Sequence, residues 1–313
     1  MKRSNSSYNL QNIAFLIYFY YEKGSEFMKI IRSLFVLFIT LILLTGCFKR
    51  DNMDDISIAV TKYPIEYLVK NIYGFNSTIS SVYPVGSDVD TYTLSKKQIK
   101  KYSANDIFVY NGLTDEKKIA ASLLNYNSNI KIIDVAKGLN DTYEEEELWL
   151  SPSNYLMLAQ NIKDSLLNYT NSTILKQEIS DAYEELKLNV SMLDANIKVI
   201  AENASNKTII VGNDLFKFLE KYGYNVLSVD ESKNQKSDYQ EAKNLISNKS
   251  NSYVFVLEKS VNDENVTKLK NAGATIVSIK SLKSLTQDEI NDGYDYLQYM
   301  NTFIDDLKSE VYN

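Results

Sequence analysis

The chain has 313 residues, 44% of them apolar, which is enough to bury one large core or two medium ones. It contains no histidine and one cysteine, and 40 acidic residues outnumber 34 lysines and arginines. Those counts exclude Ser-His and Cys-His nucleophile pairs, an imidazole base, a Cys/His zinc cluster and an internal disulfide, and they leave no basic patch of the kind nucleic acid needs.

In chain order the first signal is Met28–Cys47, MKIIRSLFVLFITLILLTGC. Lys29 and Arg32 precede an apolar run from Leu34 to Leu44, which ends on Leu44-Thr45-Gly46-Cys47. This is the organisation of a secretory signal with small residues at its cleavage point. The run is shorter than the roughly 20 residues a membrane-spanning helix needs. Its ending resembles the bacterial lipobox, which makes Cys47 the lipidated first residue of the mature chain; a membrane anchor that happens to end in Cys is the alternative. Residues 1–27 fit no part of such a signal, so Met28 is the better start. Removing residues 1–46 leaves 29 basic against 38 acidic residues, a charge of −9.

A polar tether, residues 47–55, leads into alternating strands and helices. The first half, residues 56–170, reads as strands at Ile56–Val60, Thr78–Tyr83, Ile107–Tyr110 and Ile130–Asp134. Helices fit Pro64–Tyr73, Ser95–Tyr102 and Asp115–Leu124, and another follows Pro152 as far as Leu167, behind the acidic loop Asn140–Glu147. Within residues 171–206, Thr173–Ala204 places Leu175, Ile179, Ala182, Leu186, Val190, Leu193, Ile197 and Ile200 on one helical face. No Gly or Pro interrupts the chain between Pro152 and Gly212, so a single helix of roughly 45 Å is expected there. The second half, residues 207–313, reads as strands at Thr208–Val211, Asn225–Val229, Tyr253–Leu257 and Thr275–Ile279. Its helices fit near Asp214–Tyr222, Asp238–Ser247, Asn262–Ala272 and Gln287–Lys308. The expected class is α/β: two lobes, each a mostly parallel sheet with helices on both faces, joined by one long helix. Ligands then bind at the carboxyl ends of the strands.

Four segments follow those strands: PVGSDVDTY at Pro84–Tyr92, ELWLSP at Glu147–Pro152, GNDLFKF at Gly212–Phe218, and Ile279-Lys280-Ser281-Leu282. With the closing DGYDYLQYM at Asp292–Met300, their order and spacing resemble the zinc/manganese solute-binding lipoproteins of ABC importers, from about Ile56 to the C-terminus. That family has a P-x-G-x-D-x-H-x-Y loop, an H-x-W-x-D-P motif, an H/E-x-x-F-x-Y helix opening and a G-x-x-Y-x-x-M helix. The resemblance implies two lobes on one rigid helix with a single metal between them, held by two His from the first lobe and a His or Glu plus an Asp from the second. Position by position, the two His fall on Asp90 and Glu147, the third ligand on Asn213 and the usual Asp on Lys280. Glu258 matches an acidic position near the cleft.

This chain therefore departs from the family at every ligand. Asp90, Glu147 and Asn213 offer oxygen alone, which suits Mn²⁺, Ca²⁺ or Mg²⁺ better than zinc. The Lys280 ammonium repels a dication and is expected to pair with Asp90 or Glu147 in its place. Each position also has a structural alternative. Asp90 can cap the helix near Ser95, Glu147 can be part of a solvated acidic loop, Asn213 can be an ordinary helix N-cap, and Lys280 a surface lysine.

The function expected is an extracytoplasmic, lipid-anchored solute-binding protein of a metal-ion ABC importer with an altered ligand site, not an enzyme. No nucleophile elbow, phosphate loop or paired-acid motif occurs. Its cargo is one divalent cation, manganese or zinc, or none, since every His ligand is replaced. Its expected partners are the ABC permease subunits and the membrane, with the chain monomeric. The alternative is a diverged binding or surface-interaction lipoprotein, touching host or partner proteins, that no longer binds metal.

Overall fold

The computed structural model describes residues 53–233 and 236–312, together with Lys29. The signal-like run, Cys47 and most of the tether lie outside the described residues. The first sheet contains β1 (Ile56–Val60), β2 (Ser77–Ser81), β3 (Ile107–Tyr110) and β4 (Lys131–Asp134), in the order β2-β1-β3-β4. The second repeats that order with β5 (Thr208–Val211), β6 (Asn225–Ser228), β7 (Tyr253–Leu257) and β8 (Thr275–Ile279), as β6-β5-β7-β8. Every pairing is parallel. Runs such as ISIAV, TIIV and YVFVL are largely apolar because a parallel sheet is covered on both faces.

The helices of the first half are α1 (Tyr63–Tyr73), α2 (Lys96–Tyr102), α3 (Glu116–Tyr126), the short α4 (Glu147–Leu150) and α5 (Pro152–Tyr169). The linking helix is α6 (Thr173–Asn203). The second half has α7 (Lys236–Ser247), α8 (Glu264–Asn271), α9 (Gln287–Asn291) and α10 (Tyr296–Val311). Side chains alternate between the faces of each sheet. Ile58, Val60, Ile107 and Val109 join the central core, whereas Ala59 and Phe108 pack with Ala120 and Leu123 of α3. In the second sheet Ile209, Val211, Phe255 and Leu257 join the same central core, and Ile210, Val254 and Val256 meet α7 and α8. The central core runs from one sheet to the other without a break, by way of α6 and α10.

Helix α6 starts where Ser172 Oγ accepts the Leu175 N–H at 3.3 Å and continues for 31 residues, about 46 Å at 1.5 Å per residue. Its buried face is the one the periodicity predicts, with one change: Tyr183, not Ala182, occupies the third turn. The Leu175, Ile179, Tyr183, Leu186 spacing keeps the stripe facing one way, and Ala182 falls at its edge. Two helix expectations need correction. Asp214–Tyr222 forms a 3₁₀ helix rather than an α-helix. The single helix expected over Gln287–Lys308 is broken in two, because Gly293 takes φ +76° after α9 and Asp295 restarts the chain in a capping box with Gln298. Helix α10 then returns to the second sheet, where Glu310 accepts N–H bonds from Ser252 at 3.0 Å and Tyr253 at 3.2 Å.

In both sheets the strand order reverses between the first and third strands in sequence. The crevices so formed lie past the carboxyl ends of β1 and β3 and of β5 and β7. The residues that leave those ends build the candidate site.

Candidate functional site

Lys62 leaves β1 and ends in the first crevice, 4% exposed. Its Nζ lies 3.1 Å from Glu116 Oε1 and hydrogen-bonds Glu145. Glu116 opens α3 fully buried, and its Oε2 accepts the Asn111 N–H at 2.8 Å. The second half contributes Lys283, from the loop after β8. Its Nζ lies 2.7 Å from Asp90 Oδ1, 3.1 Å from Glu145 Oε2 and 3.2 Å from Glu146 Oε1. Lys259, just past β7, reaches Glu146 Oε1 at 2.9 Å, and Lys233 approaches Glu144 at 3.7 Å. Across the cleft, then, the first half presents carboxylates and the second half presents ammonium groups.

The site is charged but internally neutralised. Burial pulls the Lys283 ammonium toward deprotonation, yet Glu145, Asp90 and Glu146 outweigh it and hold its pKa above the ordinary lysine value. Lys62 behaves likewise: burial is overcome by Glu116 and Glu145. Burial raises Glu146 and Asp90, but their lysine partners win and hold both carboxyls below the usual range. Leu282, immediately before Lys283, has φ +61°, a left-handed conformation costing on the order of 1–3 kcal/mol for a non-glycine residue. The surroundings hold it there: Leu282 is 1% exposed in the core, and Lys283 is fixed by three carboxylates.

Backbone ties reinforce the ion pairs. The fully buried Trp149 donates Nε1–H to Ser281 O at 2.8 Å, and Tyr296 donates its hydroxyl to Trp149 O at 2.9 Å. The Tyr63 N–H bonds Lys283 O at 3.1 Å, and Gly86 N–H bonds Leu285 O at 3.2 Å from a turn in which Gly86 takes φ +71°.

Of the residues singled out in the sequence, only Asp90 belongs to this network. It does not cap the next helix, since Ser95 forms that capping box with Gln98. Lys280 pairs with Glu289, nine positions along its own half, and not with Asp90 or Glu147; the lysine that meets Asp90 is Lys283. Glu147 begins α4 half-buried, and among the described residues no lysine pairs with it. Burial pushes its carboxyl up to about 7. Asn213 is neither a side-chain N-cap nor in contact with the lysines. Its Oδ1 accepts the Leu257 N–H at 2.9 Å and its Nδ2 donates to Ser260 Oγ at 3.0 Å, joining the ends of β5 and β7. Glu258 is exposed and accepts the Ser281 N–H at 3.1 Å. The sequence reading missed Lys62, Glu116, Glu145, Glu146, Lys259 and Lys283. The available signals were a lysine two residues past the strand ISIAV and a run of four glutamates in which the two middle members, not the last, pair with the cleft lysines.

The sequence profile of the family described as zinc-uptake complex component A, periplasmic, matches residues 58–310. The chain belongs to this family. It is 28% identical over 220 residues to the manganese ABC transporter substrate-binding lipoprotein PsaA of Streptococcus anginosus, covering 63% of this chain and 70% of that one. It is 21% identical over 291 residues to the zinc-binding protein AdcA of Streptococcus pyogenes, covering 81% of this chain and 55% of that one. In fold it is similar to the Zn(II)-bound ZnuA-like domain of Streptococcus pneumoniae AdcA, with a TM-score of 0.66 at 20% identity over 83% of this chain and all of that one. It is also similar to the periplasmic zinc-binding protein TroA of Treponema pallidum, with a TM-score of 0.62 at 18% identity over 83% of this chain. The zinc-uptake family consists of substrate-binding components of ABC importers, which work with permease and ATPase subunits and are not enzymes.

Lysines stand among the carboxylates of this network. Lys283 and Lys62 place two protonated amines among the carboxylates, and a protonated amine has no lone pair to give a metal. Each carboxylate of the network is already bonded to at least one lysine. Among the described residues, no group of three or more acidic or cysteine side chains is placed to hold a metal ion.

Proposed function

We propose that this chain is an extracytoplasmic, lipid-anchored solute-binding protein of the ABC-importer type in which lysine ammonium groups have replaced the dication as the charge between the lobes. Its cargo is then not free zinc or manganese. The observation that carries this reading is Lys283, which crosses from the second half to bond three carboxylates of the first. The relatives named as manganese and zinc carriers support the importer role. The signal-like run ending in Cys47 supports the lipid anchor and a position at the outer face of the cell membrane. A dication entering the network would have to displace Lys283 and sit within reach of Lys62, where like-charge repulsion opposes it.

Elemental analysis of the protein purified from its own host without chelators tests this. The expected result is less than a tenth of an equivalent of zinc or manganese. A stoichiometric metal would restore the metal-carrier reading.

A further inference from the structure

A second feature lies where the two halves meet: a cavity of about 500 Å³ between α1, the turn after β2 and the segment that runs from Lys283 through α9 to Tyr294. That volume falls within the roughly 300–1,000 Å³ of small-molecule sites. We infer that this cavity is a site for a neutral aromatic molecule of the phenol or indole class. The inference goes beyond the importer reading and does not depend on whether a dication binds the lysine network.

Four tyrosines line the cavity. Tyr63 and Tyr67 of α1 and Tyr83 after β2 come from the first half, and Tyr294 comes from the second. The Tyr63 and Tyr67 rings stand at 57° with centroids 6.3 Å apart, and Tyr67 rests in turn on the fully buried Tyr296 at 5.6 Å. Large apolar side chains left in solvent gather at the same place. Val85 is 55% exposed, Tyr294 47% and Ile290 45%, and all three line the cavity. Exposed apolar surface drawn together from both halves marks a place where something binds. The walls are also preformed. The Gly86 N–H bonds Leu285 O and the Tyr63 N–H bonds Lys283 O, so backbone from the two halves is already joined there and little ordering remains for a ligand to impose.

The polar groups of the lining say what kind of ligand fits. Its three charged side chains are all paired: Glu66 with Lys70, and Lys283 with the carboxylates described above. A charged ligand would give up its hydration and meet no free counter-charge. The phenols of Tyr63, Tyr67 and Tyr83 stay neutral as well, since burial raises all three above the ordinary tyrosine value. A polyol finds few partners, because the Ser81 hydroxyl donates to Thr61 O at 2.9 Å and accepts the Tyr83 N–H at 3.1 Å. Ser284 donates to Ser87 O at 3.3 Å and keeps acceptor capacity for a ligand O–H or N–H. A ring among tyrosine rings gains offset or edge-to-face contact that an aliphatic ligand of equal volume does not. A flat, uncharged ring carrying one donor meets all of these conditions.

The test is isothermal titration of the purified full chain with 4-methylphenol and with indole. The controls are 4-methylcyclohexanol for ring character, tyramine and 4-hydroxybenzoate for charge, and glucose for a polyol. The expected result is one equivalent of 4-methylphenol or indole bound with Kd below 1 mM, 4-methylcyclohexanol at least fivefold weaker, and no binding of the charged compounds or glucose at 10 mM. Val85→Asp and Ile290→Asp place a charge at two exposed lining positions, one from each half. Each should weaken aromatic binding at least tenfold while the circular dichroism spectrum is unchanged. Absence of binding of both aromatic probes at 10 mM would overturn the site. So would 4-methylcyclohexanol or tyramine binding as tightly as 4-methylphenol, or aromatic binding that both variants leave unchanged.

Discussion

Replacing Lys283 with methionine removes the ammonium and keeps most of the side-chain volume, so the change reads the charge and little else. Three carboxylates lose a partner, but they are not left equal. Glu145 keeps Lys62, Glu146 keeps Lys259 at 2.9 Å, and Asp90, with its side chain 47% exposed, can be rehydrated. Removing one member of a buried ion pair costs about 3–5 kcal/mol when the other is stranded. The surviving lysines and the exposure of Asp90 place this case lower, at about 2–3 kcal/mol. At about 2–4 °C per kcal/mol for a domain of this size, the midpoint of thermal unfolding should fall by about 4–12 °C. The loss should also follow pH. Asp90 and Glu146 have carboxyls held below their ordinary values, so the stability they confer is complete above the unfolded carboxylate range and disappears as pH falls through their depressed values. Lys283 is held above its ordinary value, so its part is complete up to about pH 10. The difference between Lys283→Met and the parent should therefore be flat from pH 6 to 9 and shrink below pH 4. Urea unfolding followed by Trp149 fluorescence measures it at each pH. A loss under 0.5 kcal/mol at pH 7, or a difference that grows in acid, would refute the role given to Lys283.

Two further outcomes follow from residues outside that network. Glu147→Gln should stabilise the protein at pH 8 and not at pH 4. Burial raises the Glu147 carboxyl to about 7, so its ionisation weakens the fold as pH rises from the ordinary glutamate value toward 7. The shift corresponds to at most about 3.4 kcal/mol at about 1.36 kcal/mol per unit, and solvent at this half-buried group reduces that to about 1–2 kcal/mol. Thermal melts of both proteins across that range decide the matter, and a pH-independent difference would contradict it. Asn213→Ala should destabilise by about 1–3 kcal/mol, because the buried Leu257 N–H loses its acceptor. Urea unfolding of both proteins measures the difference, and a loss under about 0.3 kcal/mol would contradict the role given to this bond.

The long helix and the inner strands were legible in the sequence because buried parallel strands are largely apolar and α6 repeats its stripe for 31 residues without a Gly or Pro. The edge strand β2, the polar STISS, lies instead at Ser77–Ser81 and not at the expected Thr78–Tyr83. What failed was local. Leu186 and Val190 were found by spacing alone, but Ala182 and Tyr183 are adjacent, and the helix chose the one lying nearer the stripe axis. The break at Gly293 was visible as Asp-Gly followed by Asp295 and Gln298, a turn and a capping box, yet the surrounding helical pattern masked both. The site was harder to read. Motif register assigned the substitute charge to Lys280, whereas the left-handed turn at Leu282 presents Lys283 to the cleft and leaves Lys280 with Glu289. In the run Glu144–Glu147, direction depends on where α4 begins, and periodicity does not fix the start of a four-residue helix. Lys62 and Glu116 lie far apart in the chain and meet only because β1 and β3 are neighbours in the sheet.

The claim on which the rest depends is that lysines hold the place of a dication in the cleft. Calorimetric titration of the purified, chelator-treated protein with ZnCl₂ and MnCl₂ at pH 7 addresses it most directly. The expected isotherm shows no binding of either ion tighter than millimolar. Binding of either ion at one equivalent with micromolar or lower Kd would contradict it.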